Sequence, residues 1–128
     1  MSSRRGRGPT GMSISDAAPY QLATVLEAGA GSGQLQGREH GGTVSVILVS
    51  TDEPGAGPAL HQHPYDETFV MHGGEAEFTV AGQVLVATAG QVVVVPPQTP
   101  HKFRNVGSER LVMTNIHAND VFITEWLE

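Results

Sequence analysis

Residues 55–74 read GAGPALHQHPYDETFVMHGG. Side chains of an extended chain alternate between two faces, so His61 and His63, two apart, project together. Pro64-Tyr65 follow, where the chain can bend, and Glu67 opens a strand-sized run, Glu67–Met71, that ends at the glycine pair Gly73-Gly74. Imidazole and carboxylate on one inner surface suit a borderline divalent ion. An HxH pair alone is a weak signal, because two histidines on a strand are often just polar surface. The weight of the reading therefore rests on what lies downstream.

Residues 90–105, GQVVVVPPQTPHKFRN, supply it. The run 91–95 is a continuous apolar strand stopped by Pro96-Pro97, and His101 opens the next strand, His101–Asn105. Closing a sheet can bring that strand beside the first and complete a set of three nitrogens and one oxygen. The same β rhythm extends outward. Glu75–Val80 and Gln83–Ala87 flank a turn at Ala81-Gly82, and Leu111–His117 follows a turn at Gly107-Ser108. Upstream, TVSVILVS (43–50) reads as a strand buried on both sides or at a sheet centre, YQLATVLE (20–27) as a first strand, and Leu35–Glu39 as a further one. The tail VFITEWL is a last strand or a short helix.

With 16 glycines, 8 prolines and 128 residues, the chain has room for one domain of many short strands. Roughly nine or ten strands at this spacing predict an all-β sandwich or barrel over residues 20–128. Residues 1–19 lack a periodic apolar pattern and are expected to form a disordered tail. Met12 directly follows the basic stretch of that tail and offers an alternative start.

The net charge is −6, and three of the seven basic residues, Arg4, Arg5 and Arg7, sit in that tail. Beyond the first dozen positions only four remain, against thirteen acidic residues. A body this acidic repels phosphate backbones, so no nucleic-acid partner is expected. There are no cysteines, which removes disulfides, thiolate metal sites and cysteine nucleophiles. No apolar run approaches a membrane span and no secretory signal opens the chain, so no membrane partner and a cytoplasmic location are expected.

The segment 55–74 resembles the first motif of the cupins: glycine, five residues, HxH, three residues, glutamate, six residues, glycine. The segment 90–105 resembles the second: glycine, five residues, proline, one residue, glycine, two residues, histidine, three residues, asparagine. It departs only at Gln98, where glycine is usual. That departure bears on a turn, at a cost of about 1 kcal/mol if φ is positive there, and not on a ligand. The resemblance implies a jelly-roll-like cupin β-barrel holding one divalent transition metal (Fe, Mn, Ni, Cu or Zn) through His61, His63, Glu67 and His101. Asp66 competes with Glu67, but motif spacing and strand parity both favour Glu67. Small cupins often pair through N-terminal strands, so a homodimer is the expected assembly.

Strand alternation places Phe69 and Met71 on the face of Glu67, and Phe103 and Asn105 on that of His101. Phe69, Met71 and Phe103 are candidate pocket walls, with plain core packing as the competing role, and Asn105 is expected to fix a strand end. Met113, Asn115 and His117 share one face of a late strand. If that face is interior, Met113 and Asn115 line the substrate pocket and His117 is a base or substrate contact. If it is exterior, His117 is a surface residue. Tyr65 and Asp66 are candidates for the pocket mouth, Trp126 for an anchor of the C-terminal segment, and His40 and His72 for solvent-facing positions.

Cupins carry many reactions, so the resemblance implies fold and site more firmly than activity. The first expectation is a metal-dependent oxygenase or dioxygenase acting on a small organic molecule. It follows the flavonol-cleaving enzymes that the pattern resembles, in which Glu67 would double as a base. The second is a redox-neutral cyclase or isomerase using His117 as catalytic base. The third is a non-catalytic ligand-binding module.

Overall fold

A computed structural model describes residues 19–27 and 31–128. Among these, ten strands form two five-stranded antiparallel sheets. The first sheet holds β1 (Ser32–Leu35), β2 (Ser45–Thr51), β9 (Leu111–His117), β4 (Glu67–Gly73) and β7 (Val92–Val95), in that order. The second holds β10 (Glu125–Trp126), β3 (His61–Gln62), β8 (His101–Asn105), β5 (Glu75–Val80) and β6 (Gln83–Thr88). The sheets are not one closed barrel. They face each other in a jelly-roll-like sandwich, with one apolar core drawn from both. No helix among the described residues is long and apolar enough to cross a membrane.

Period-two patterning decides which residues enter that core. In β4, Glu67, Phe69 and Met71 are buried while Thr68 and Val70 are half-buried, and β9 repeats the alternation. The register then stacks the inner residues in layers. Glu67 lies opposite His117, Phe69 opposite Asn115, and Met71 opposite Met113. In the other sheet His101 pairs with His61 and Val80, and Phe103 with Phe78. One end of the interior is therefore ionisable. The other is an apolar plug in which the Phe69 ring meets Phe78 edge-on, with centroids 4.9 Å apart.

Two segments depart from the sequence reading. Residues 20–27 are not a strand: Leu22 is 92% exposed, and the Val25 carbonyl lies where a Cβ on Gly33 would sit. Apolar content without ladder partners does not make a strand. The expected strand at 35–39 is replaced by β1, which ends at Leu35, and a 3₁₀ turn over Gly37–His40. β2 lies inside its sheet between β1 and β9, one of the two settings read for it, and is not buried on both faces because Ile47 and Val49 open onto a cavity. The tail contributes only the two-residue β10. Residues 1–18, most of the expected disordered tail, lie outside the described residues.

Turn chemistry explains two backbone features. Ala81 and Gly82 both have positive φ (50° and 80°), as a two-residue type I′ hairpin requires. Gln98, at the glycine position of the second motif, adopts φ 57°. A third feature seats the site. The loop before β3 is tied to β8 by hydrogen bonds from Gly55 N–H to the Asn105 carbonyl and from Asn105 N–H to the Ala56 carbonyl, both 2.9 Å. The Asn105 amide adds a third, to the Glu53 carbonyl at 3.0 Å. A Cβ on Gly57 would lie 1.8 Å from the Phe103 carbonyl oxygen. Gly57→Ala should therefore cost at least the about 1–3 kcal/mol of an overpacked interior, read as a lower denaturation midpoint. Unchanged stability would show that this loop is not seated on β8.

Candidate metal centre

His61 and His63 are delivered by β3 and the residue beyond it, Glu67 by the start of β4, and His101 by the start of β8. All four are buried, and one ligand atom from each lies within 4.8 Å of the others. The chain thus assembles a group of three histidines and one glutamate that could hold a metal ion. Each ring is oriented from behind by a main-chain carbonyl. The Nδ1 atoms donate to Ala59 (2.7 Å), Ile123 (2.9 Å) and Thr99 (2.8 Å), for His61, His63 and His101 respectively. A carbonyl only accepts, so Nδ1 carries a proton, and in the neutral ring that a metal ligand must be, Nε2 presents a lone pair. With no cation between them, His101 Nε2 also lies in hydrogen-bond geometry with Glu67 Oε1 at 3.1 Å.

These lone pairs meet a carboxylate. His63 Nε2 and His101 Nε2 lie 3.0 and 3.1 Å from Glu67 Oε1, the former off the line of a hydrogen bond. Lone pairs converging on an anionic oxygen in a buried space repel unless a cation lies between them. The donor chemistry accordingly fits a divalent transition ion. Burial pushes the Glu67 carboxyl up, while protons presented by the His101, His117 and His63 rings, whose place a bound cation would take, bring it well below the usual carboxylate range. Burial, the largest influence on His61, lowers its pKa and favours the neutral ring a ligand must have.

His117 stands outside this four-residue group. Its Nε2 lies 3.0 Å from the other carboxylate oxygen, Oε2, also off the hydrogen-bond line, and its Nδ1 lies 2.8 Å from the Tyr65 hydroxyl. The face of β9 that carries it is interior. The cluster borders a cavity of about 530 Å³, within the usual range for small-molecule sites. Phe69, Phe103 and Asn115 line it. Met71 and Met113, expected there as well, do not: they share the face but lie one layer deeper, in the apolar core. Asp66 is only half-buried, and Asn105 holds the Gly55–Gly57 loop.

Other expectations shift. Tyr65 is no mouth residue but is buried against His117, and burial raises its phenol pKa. Trp126 lines the cavity, its ring 5.1 Å from that of His61. His72 lies on the exposed side of β4 within reach of Thr114 Oγ1, and His40 is half-buried. Sequence reasoning missed Ile47, Val49, Phe122 and Thr124 as cavity walls. The signal for the last two was present, since Phe122, Thr124 and Trp126 recur every second residue.

A family model described as the cupin domain matches residues 48–117. Over 74 residues the chain is 34% identical to "Polyketide synthase CurC" of Streptomyces cyaneus, covering 57% of this chain and 48% of that protein. Among solved structures, an oxalate decarboxylase mutant from Bacillus subtilis superposes with a TM-score of 0.71 at 26% identity, over 90% of this chain and 34% of that one. Mn(II) centres are described for that decarboxylase. An uncharacterised double-stranded β-helix protein from Klebsiella pneumoniae gives 0.60 at 26% identity, over 66% of this chain and 70% of that one. The chain thus spans about half of the polyketide synthase protein and about a third of the decarboxylase. With a family model over more than half its length and this fold, the chain belongs to the cupins.

Proposed function

We propose that this cupin is a metal-dependent enzyme acting on a neutral, oxygen-bearing organic molecule bound in the cavity. One divalent transition ion would be held by His61, His63, Glu67 and His101. The carrying observation is the convergence of three Nε2 lone pairs and a carboxylate at the floor of an accessible cavity. When bound, the ion would supply Lewis acidity toward a carbonyl or enol oxygen.

The walls argue for the substrate class. No lysine or arginine lines the cavity among the described residues, so no cationic side chain there offsets the charge of a small dicarboxylate such as oxalate. Ile47, Val49, Phe69, Phe103 and Trp126 offer apolar contact, and the buried Asn115 amide, whose Oδ1 has no partner, can orient a hydroxyl or carbonyl. His117, close to Glu67 but outside the four-residue group, is positioned to hold or move a proton on that molecule. This favours redox-neutral cyclisation or isomerisation of a polyketide-like carbonyl compound, in keeping with the likeness to a polyketide synthase protein. Oxygenase chemistry is the competing reading, supported by the three-histidine, one-glutamate donor set.

Protein prepared without oxygen, chelator or histidine tag should carry about one first-row transition ion per chain by elemental mass spectrometry. His61→Ala and His101→Ala should each lose most of it, while His72→Ala should keep it. Full metal in both ligand variants would overturn the site. Because Trp126 is the sole tryptophan and sits beside His61, Cu(II) or Ni(II) uptake should quench its fluorescence and Zn(II) uptake should not.

The reaction is separable with two probes. A tetraketide analogue should be consumed at the same rate under nitrogen as in air. Loss of turnover under nitrogen, or oxygen uptake with quercetin, would transfer the assignment to an oxygenase. Binding without turnover under every metal would make the chain a ligand-binding module.

A further inference from the structure

The cavity end of the molecule holds four buried histidines, and their hydrogen bonds are not of one kind. His61, His63 and His101 each face a main-chain carbonyl through Nδ1. His117 faces a hydroxyl, that of Tyr65, at 2.8 Å. The Tyr65 oxygen in turn receives the Ile123 N–H at 3.1 Å. Tyr65 is 8% exposed and His117 3%.

Donor and acceptor counting settles the direction of this chain. The Ile123 N–H can only donate, so the Tyr65 oxygen accepts there and its single proton has His117 Nδ1 as its acceptor. The reverse arrangement would leave a buried phenol O–H with no acceptor, at a cost of about 1–3 kcal/mol. It would also turn an Nε2 lone pair on the Glu67 carboxylate oxygen 3.0 Å away, whereas the first arrangement sets an N–H beside that oxygen. A neutral imidazole that accepts at Nδ1 carries its proton at Nε2. We infer that Tyr65 is a positioning residue that fixes His117 as the Nε2–H tautomer, opposite to the three clustered histidines. His117 then serves the site as a hydrogen-bond donor, not as a fourth imidazole ligand.

The two oxygens of Glu67 are sorted accordingly. Oε1 faces the lone-pair nitrogens of His63 and His101, and Oε2 faces the N–H of His117. The His117 proton lies off the line to Oε2, so it is near the carboxylate without being bonded to it and is available to a molecule in the cavity that His117 lines. Phe122 packs edge-on against the His117 ring, with centroids 4.8 Å apart, and keeps its plane. Both tautomers trace to one residue of the C-terminal segment. The carbonyl of Ile123 makes His63 an Nδ1–H ring, and its N–H, relayed through Tyr65, makes His117 an Nε2–H ring.

The tautomer assignment stands on hydrogen bonding within the chain, and its role as donor beside a metal rests on the function proposed above. Long-range ¹H–¹⁵N correlation spectra of the histidine rings, recorded on the full chain with and without Zn(II), test both. In the zinc-loaded protein, three rings should show protonated Nδ1 and metal-shifted Nε2, and His117 should show protonated Nε2 with an unprotonated Nδ1. Tyr65→Phe should keep stoichiometric zinc and the pattern of the three ligand rings, while His117 changes to a tautomer mixture or to Nδ1–H. A merely structural phenol would leave the His117 pattern in place.

An Nδ1-protonated or doubly protonated His117 in the wild-type chain overturns the inference, as does an unaltered His117 in Tyr65→Phe. If that variant does not fold, the wild-type spectrum decides alone. Failure to take up zinc sinks the metal reading instead, because the His117 tautomer is still read in the metal-free chain.

Discussion

Glu67 is an ionised carboxylate taken almost wholly out of water, with histidine nitrogens about 3 Å from both of its oxygens. Leaving such a charge without compensation costs several kcal/mol in a protein interior. Much of the surrounding architecture meets that demand. The strands β3, β4, β8 and β9 start or end at one level, so that their terminal residues converge on it. Three loops supply the carbonyls that face each clustered imidazole: the segment before β3, the turn before β8, and the C-terminal segment. A group recruited from five separate parts of the chain is correct only when the whole sandwich is closed.

The stability that permits this comes from the other half of the interior. Phe69, Phe78, Met71 and Met113 are fully buried one and two layers below Glu67, with Leu111 deeper still and Val95 beside Glu67 on the neighbouring strand. Each contributes on the order of 1.5–3 kcal/mol as an upper bound, since denatured chains already bury some apolar surface. The polar layer is thereby freed from holding the sheets together. Side chains there can keep unmet hydrogen-bonding capacity, as Asn115 Oδ1 and the Nε2 atoms of His63 and His117 do. In a folded chain such capacity marks a place where something else binds.

The four-residue group was legible in part from local geometry and, for Glu67 over Asp66 and for the distant His101, from the resemblance to the two cupin motifs. Two histidines two apart on an extended segment need only strand parity to be read. Strands β5, β8 and β9 were readable to the residue for a similar reason, since alternation and flanking turns bounded them. Residues 20–27 misled because apolar content was taken for pairing, which depends on a partner edge that sequence does not display. Met71 and Met113 were assigned by face correctly and by depth wrongly, since parity fixes the side of a sheet but not the layer. The bond from Tyr65 to His117 spans 52 residues, and only the registers joining β4, β9 and the C-terminal segment bring the two groups together.

The division between layers also bears on how far the likeness to oxalate decarboxylase reaches. Superposition at a TM-score of 0.71 rests on the strands. Those strands position the four-residue group and the apolar plug, so these are the parts for which the comparison carries weight. The cavity walls come from Ile47 and Val49 on β2 and from Phe122, Thr124 and Trp126 on the C-terminal segment, with no cationic side chain among them. A small dianion there would face two buried or mouth carboxylates, Glu67 and Glu53, with only a metal to balance it. A neutral, largely apolar molecule would meet no such penalty, and its oxygens would have Asn115 and His117 to bind. Scaffold and substrate choice are thus separable in this chain. The walls, more than the fold, argue for a ketone- or hydroxyl-bearing substrate over oxalate.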